Sequence, residues 1–320
     1  MEEAGAVFVQ DAKIANRAGK RVAVLGVPLN FGGSLAGVEL GPSALRIARL
    51  GDRIARLGYE VRDLGDLRIT PPARAAAPDD RAKYLREISA VCEEVAAEVR
   101  SILRAGEFPI ILGGDHSIAA GSVAGVASFF HEQDKALGLI WLDAHADMNT
   151  PETTPTGNVH GMPLAALFGY GARELTHVAG YAPKLDPRFC AHVGARDVDP
   201  GERELIKRLG VRFFTMREID ERGMSACMDE AIRIAAQAPA GYHVTLDVDV
   251  LDPNDAPGSG TVVRGGLTYR EAHLAMEKIA EAGGMRALEV VEINTVLDVN
   301  NKTAELGVEL ILSALGKTIL

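Results

Sequence analysis

Short runs of consecutive apolar residues alternate along this chain with longer stretches in which apolar positions recur every three to four residues. The short runs, at residues 21–27, 59–64, 109–112, 139–143, 190–193, 211–214, 242–248 and 287–293, predict strands. The longer patterns predict helices over 42–57, 81–105, 201–209, 224–238, 269–282 and 303–315. Pro42 suits a first helical turn, and Thr268 with Glu271 three residues on reads as a capping box. Regular alternation of the two element types implies a parallel sheet covered by helices on both faces. Residues 139–142 and 244–248 are apolar at successive positions, the pattern of central strands buried on both sides. The expectation is an α/β fold: one three-layer α/β/α domain over residues 1–320 with a central, mainly parallel sheet of about eight strands. No internal repeat or low-complexity linker interrupts it, and the Pro- and Ala-rich stretch 70–80 reads as a surface loop.

Composition narrows the classes. At 320 residues and 47% hydrophobic, the chain can bury a sizeable core. Its longest apolar runs fall far short of the roughly 20 residues a membrane-spanning helix needs. The start, Met1-Glu2-Glu3, is acidic where a secretory signal is basic, which points to the cytoplasm. Cys92, Cys190 and Cys227 are distant from one another and read as reduced, structural thiols. A formal charge of −10 with no basic cluster disfavours nucleic acid, and nothing points to a membrane.

The chemistry gathers at strand ends. Asp143-Ala144-His145-Ala146-Asp147 sets three ligand-type side chains at alternate positions after a buried strand, so along extended chain they point the same way. Asp247-Val248-Asp249 ends another strand, and Gly113-Gly114-Asp115-His116 a third. Any one of these acids reads equally as a helix cap or a solvated loop residue. Together, at the carboxyl ends of strands in one sheet, they converge on the crevice where α/β proteins bind ligands. Carboxylates crowded there repel one another at a cost of order several kcal/mol unless a cation neutralises them. Four aspartates and two histidines suit a pair of hard or borderline divalent ions, Mn²⁺ first, with Co²⁺ or Ni²⁺ as substitutes.

These motifs carry a resemblance. Gly-Gly-Asp-His-Ser (113–117), Asp-Ala-His-Ala-Asp-Met-Asn (143–149) and Leu-Asp-Val-Asp-Val-Leu-Asp-Pro (246–253) resemble, in order and spacing, the metal motifs of the ureohydrolase superfamily, and among its members the arginases of bacterial type. The resemblance runs from residues 37–43 to 301–306. It implies that His116 and Asp147 bind one Mn²⁺, that His145 and Asp249 bind the other, and that Asp143 and Asp247 bridge the two with a hydroxide. That hydroxide would attack the guanidinium carbon of L-arginine to give L-ornithine and urea. Two ions roughly 3.5–4 Å apart lower the pKa of a shared water enough for this. The family also implies a homo-oligomer, a trimer or hexamer.

Agmatinases, other guanidino-acid hydrolases and formiminoglutamases share the metal motifs, so the substrate rests on other segments. Residues 149–161 resemble the loop that holds the substrate α-carboxylate, with Asn149, Thr154, Thr156 and Asn158 at the matching positions and His160 as proton shuttle. Residues 194–202 resemble a second segment, in which Asp199 takes the α-ammonium with Glu202 nearby; Asp199 reads equally as the cap of a helix starting at Pro200. Glu292 matches a carboxylate for the guanidinium and Thr261 a neighbour of that group, while Glu289 lies on the opposite face of an ideal strand. Recognition of both α-groups favours arginine over agmatine, which would leave the carboxylate donors unpaired. Thr295 where the family usually has proline, and Pro155 within the carboxylate loop, are departures. His131, His177, His192, His243 and His273 are expected to pack, not react. Two other classes compete. A silent scaffold protein would have lost metal ligands, and none of the six is missing; a dinucleotide site at Gly26, Gly32 and Gly33 lacks the Gly-x-Gly-x-x-Gly spacing.

Overall fold

The computed structural model of the chain describes residues 20–73, 75–77 and 80–318, so the acidic start and part of the 70–80 loop lie outside the described residues. Eight strands form one parallel sheet in the order β2-β1-β3-β8-β7-β4-β5-β6. They are β1 (Arg21–Val27), β2 (Glu60–Asp66), β3 (Phe108–Gly113), β4 (Gly138–Leu142), β5 (Cys190–Ala195), β6 (Arg212–Thr215), β7 (Tyr242–Asp247) and β8 (Met285–Val291). The two strands expected at the centre, β4 and β7, are hydrogen-bonded neighbours, with Leu139 opposite His243 and Leu142 opposite Leu246.

Alternate strand residues feed two cores. Val22, Val24, Ile110, Leu112, Val244 and Leu246 face one layer. It is made of α1 (Gly41–Ile47), α2 (Leu50–Ala55), α8 (Met216–Arg222), α9 (Met224–Ala235), α10 (Tyr269–Ala282) and α11 (Lys302–Ala314). Ala23, Leu25, Ile111, Leu139 and Trp141 face the other. That layer holds α3 (Leu85–Arg104), α4 (Ala119–His131), α5 (Pro163–Leu167), α6 (Arg173–Thr176) and α7 (Pro200–Leu209). Removing so much contiguous apolar surface from water, at about 25 cal/mol per Å², is what holds the layers together.

Two expected helices are corrected, and one observed helix was not anticipated. The helix over 42–57 is two helices, because Arg49 turns into the left-handed region (φ 64°) and restarts the chain as α2. The helix expected from 81 starts at Leu85, after Tyr84 at φ 56°. The buried helix α4 carried no amphipathic signal, being apolar or small around almost its whole circumference. Among the described residues no helix is long and apolar enough to cross a membrane, and the three cysteines are free and buried.

Candidate metal centre and substrate cavity

The four central strands, β3, β8, β7 and β4, deliver the candidate ligands from their carboxyl ends. The exits are tight. A Cβ on Gly114 would collide with the Leu29 backbone, and one on Gly194, at φ 102°, with Val250 and the Asp143 carbonyl. Asp147 and Glu292 both sit in the left-handed region, at φ 52° and 64°, conformations that cost of order 1–3 kcal/mol and need support. The support is visible. The first amides of α5, Leu164 and Ala165, donate to the Asp147 carbonyl at 3.1 and 3.2 Å, and the Glu292 amide donates to the Gly114 carbonyl at 2.8 Å.

His116 Nδ1 lies 3.0 Å from Asp143 Oδ2, 3.1 Å from Asp147 Oδ2 and 3.2 Å from Asp247 Oδ2. His145 Nδ1 lies 2.9 Å from Asp249 Oδ2 and 3.7 Å from Asp143 Oδ1. Two groups of ligand atoms follow, each within 4.8 Å: His116 with Asp143 and Asp247, and His145 with Asp143 and Asp249. Asp143 belongs to both groups and Asp247 to the first alone.

These atoms fit divalent cations better than they fit one another. Thr245 Oγ1 donates to Glu289 Oε1 at 2.9 Å, so Thr245 receives the proton of His116 Nε2, 3.0 Å away. The imidazole therefore turns the lone pair of Nδ1 toward three carboxylate oxygens. Neither His116 Nδ1 nor Asp147 Oδ2 has a hydrogen-bond partner, although both are buried. Electron pairs facing one another in a dry interior call for a cation. Without one, protons fill in. Burial alone would depress the two imidazoles, but their carboxylate partners raise His116 and His145 far above the ordinary range. Burial, with Asp143 close by, pushes Asp147 up to about 6. Other contacts fix the ligands in place: Trp141 Nε1 donates to Asp143 Oδ2 at 2.9 Å, the Ala144 amide to Asp249 Oδ1 at 3.1 Å, and Thr261 Oγ1 to Asp249 Oδ2 at 3.0 Å.

Above this cluster opens a cavity of about 390 Å³. His116, His145, Asp147, Asp247, Asp249, His160, Glu292 and Thr261 line it, as do Asn149, Thr154, Thr156, Asn158, Asp199 and Glu202; Asp143 lies just beneath. The structure thus brings together the candidate metal, catalytic and substrate residues read from the sequence. It also separates Glu289, within β8, from Glu292, the first residue past its end. Glu289 is wholly buried behind His116, while Glu292 reaches the cavity and pairs with His160 Nδ1 at 2.9 Å. Burial works against charge on His160, yet Glu292 carries it up to about 9.

The 149–158 loop is organised by its own side chains. Thr154 Oγ1 accepts from the Gly157 amide at 3.0 Å and Thr156 Oγ1 from the Asn158 amide at 3.1 Å, which leaves both hydroxyl protons for another acceptor. Asp199 does cap α7, and its Oδ2 also accepts from Asn149 Nδ2 at 2.8 Å. Glu202 joins loop and helix: Oε1 accepts from the Met148 amide at 2.9 Å and Oε2 from the Asp199 amide at 2.8 Å. Burial pushes Glu202 up to about 8, but acceptance at both oxygens argues for the carboxylate.

Sequence reasoning missed two supports. Asp115 accepts from the Gly32 amide at 2.8 Å and from the Ser117 amide at 3.1 Å, holding Gly33 against His160. Arg196 donates to the carbonyls of Asp249 (2.6 Å), Val263 (2.8 Å) and Val250 (3.2 Å), tying the exit of β7 to the rim. The Asp115 cap on Ser117 is a local signal, but nothing in the local sequence names Gly32 as its second donor or the acceptors of Arg196. The remaining histidines pack. His192 Nε2 meets the His145 carbonyl at 2.6 Å and stacks on Phe213, His131 stacks on Tyr181, His177 meets Thr176, His273 meets Ser313, and His243 is fully buried.

Comparison with known proteins agrees with this geometry. The Arginase family profile matches residues 20–316. An arginase of Brevibacillus brevis is 47% identical over 301 residues, 94% of this chain and 99% of that protein. An arginase of Bacillus subtilis is 46% identical over the same shares. The crystal structure of the arginase from Bacillus caldovelox superposes with a TM-score of 0.89 at 45% identity, and that of the arginase from Bacillus cereus with 0.88 at 45% identity, each covering 94% of this chain and all of that one.

Proposed function

The chain belongs to the arginase family, and from that membership we propose that it hydrolyses L-arginine with water to L-ornithine and urea. One observation carries the reading: a buried histidine lone pair aimed at three carboxylate oxygens, on the floor of a cavity whose wall is a loop rich in hydroxyl and amide donors. In the assignment we favour, His116 and Asp147 would hold one divalent ion and His145 and Asp249 the other, with Asp143 and Asp247 contributing between them. The oxygen-rich ligand set favours Mn²⁺, with Co²⁺ or Ni²⁺ as substitutes. When bound, such a pair supplies the positive charge that brings the pKa of a water close to neutrality and makes it a nucleophile.

The chain's own residues do the rest. Glu292 accepts hydrogen bonds from the guanidinium and turns its carbon toward the cluster, with Thr261 alongside. Asp147 faces the same carbon from the cavity floor. With Nδ1 of His160 engaged by Glu292, Nε2 is the ring atom that exchanges a proton with the departing amine. Asp199 receives the α-ammonium with Glu202 behind it, and Asn149, Thr154, Thr156 and Asn158 donate to the α-carboxylate. Selection against agmatine rests on those donors, which agmatine would leave unpaired. One ureohydrolase domain carries all of this. Exposed Val296, Leu297 and Val299 favour a homo-oligomer, for which the family resemblance implies a trimer or hexamer, and three buried free thiols suit the reducing cytoplasm.

Protein loaded with Mn²⁺ and assayed for urea release is expected to prefer L-arginine to agmatine. Preference for agmatine would move the chain to a neighbouring branch of the superfamily, and failure on every guanidino compound at full metal occupancy would overturn the reading.

A further inference from the structure

Among the described residues, the cavity is lined by eight carboxylates and by no lysine or arginine. On the reading above, on which this inference rests, such a cavity must still accept the substrate's own α-carboxylate, against Coulomb repulsion that a low-dielectric cleft strengthens. Bound ions offset the acids on the floor, but the α-carboxylate belongs at the other end, beside the 149–158 loop. A positive charge is present there, one layer behind the wall. Lys83 Nζ donates to Asn158 Oδ1 at 3.3 Å.

That contact fixes more than position. An ammonium has three donors and no acceptor, so only the oxygen of the Asn158 amide can face it. The amide NH₂ is then turned away from Lys83, toward Ser34, whose Oγ accepts from Nδ2 at 2.7 Å on the cavity wall. A cation on the carbonyl side also draws electron density from the amide and strengthens its N–H groups as donors, an effect of roughly 10–30% per linked hydrogen bond. Lys83 itself is anchored. Its amide donates to the Gly157 carbonyl at 2.9 Å, and Tyr84, which follows it, is the cap of α3. From the same turn, Arg81 donates to the carbonyls of Pro151 at 3.0 Å and Glu152 at 3.3 Å, so the turn clasps the loop at both ends.

We propose that Lys83 is a specificity-determining positioning residue: through the Asn158 amide it lets a cavity walled by acids recognise the α-carboxylate of its amino-acid substrate.

The test compares Lys83→Met and Lys83→Arg with the wild type, all loaded with Mn²⁺. Lys83→Met is expected to raise KM for L-arginine about 5- to 20-fold, the range for weakening one hydrogen bond to a charged group, with kcat within about twofold. Inhibition by L-ornithine should weaken by the same factor. Inhibition by 1,4-diaminobutane, which lacks the carboxylate, should not change, and Lys83→Arg should restore most of the loss. An unchanged KM in Lys83→Met, or equal weakening for ornithine and the diamine, would overturn the proposal and leave Lys83 a brace for the loop. Wild-type release of urea from L-arginine tests the underlying activity, so the two failures are distinguishable.

Discussion

At the scale of single residues, the centre is governed by which nitrogen of His116 carries the proton. The Thr245 hydroxyl, committed to Glu289, settles it by accepting from Nε2. Thr245→Val keeps the shape and removes the acceptor, so the ring is free to protonate Nδ1 against its carboxylates. The expected cost is about 10- to 100-fold in Mn²⁺ affinity, the usual effect of losing a partner behind a metal ligand. Titration of ion-free protein measures it, and an unaltered affinity would show that the relay does not set the tautomer. The chain also carries its own reporter. Its one tryptophan, Trp141, donates to Asp143 and stacks on His116 at 4.2 Å. Removing ions from the proposed ligands should therefore shift or brighten tryptophan emission, and re-addition of Mn²⁺ should reverse the change. Emission indifferent to the ions would put them elsewhere.

At the scale of elements, Glu202 shows how a helix and a loop are made to agree. Its two oxygens take two backbone amides, one at the start of α7 and one beside the candidate ligand Asp147. Glu202→Gln has one acceptor oxygen where two are needed and sets an NH₂ against an N–H. A loss of about 1–3 kcal/mol in denaturant unfolding is expected, with KM for L-arginine raised; full stability would mean the junction does not depend on the carboxylate. The metal motifs were legible in the sequence because acids and histidines cluster directly after buried strands and the parallel sheet brings strand ends together, although residues 143–147 follow β4 as loop, with Asp147 at φ 52°, and not as the extended chain expected. Supports such as Arg196 and Lys83 were not, since their partners lie 53 and 75 residues away and nothing local encodes the meeting. Likewise, the α1–α2 break needs Arg49 in the left-handed region, which an arginine does not advertise, and α4 lacks a polar face to give its period away.

At the scale of the whole molecule, the cluster links stability to pH and to ions. In ion-free protein, Asp147 is raised from 3.8 to about 6 and His160 from 6.5 to about 9, and His116 and His145 move in the same direction. Groups with raised folded pKa values bind protons more tightly folded than unfolded. Their stabilisation is complete below the unfolded value and disappears as pH rises through the folded one. Asp143 and Glu292, lowered, run the other way, but the raised groups outnumber them. Ion-free protein should thus lose stability between about pH 4 and pH 9. Ion binding has the opposite slope, because protons compete for the same ligands and the competition fades as pH rises. Each ion at 100 times its Kd adds about 2.7 kcal/mol, so two add roughly 5 kcal/mol, or on the order of 8 °C in Tm for a chain of this size. The difference in Tm between Mn²⁺-loaded and chelated protein should accordingly widen from pH 6 to pH 8.5. A gap that stayed constant or narrowed would mean that ions and protons do not share these side chains, and the proposed ligand set would have to be abandoned.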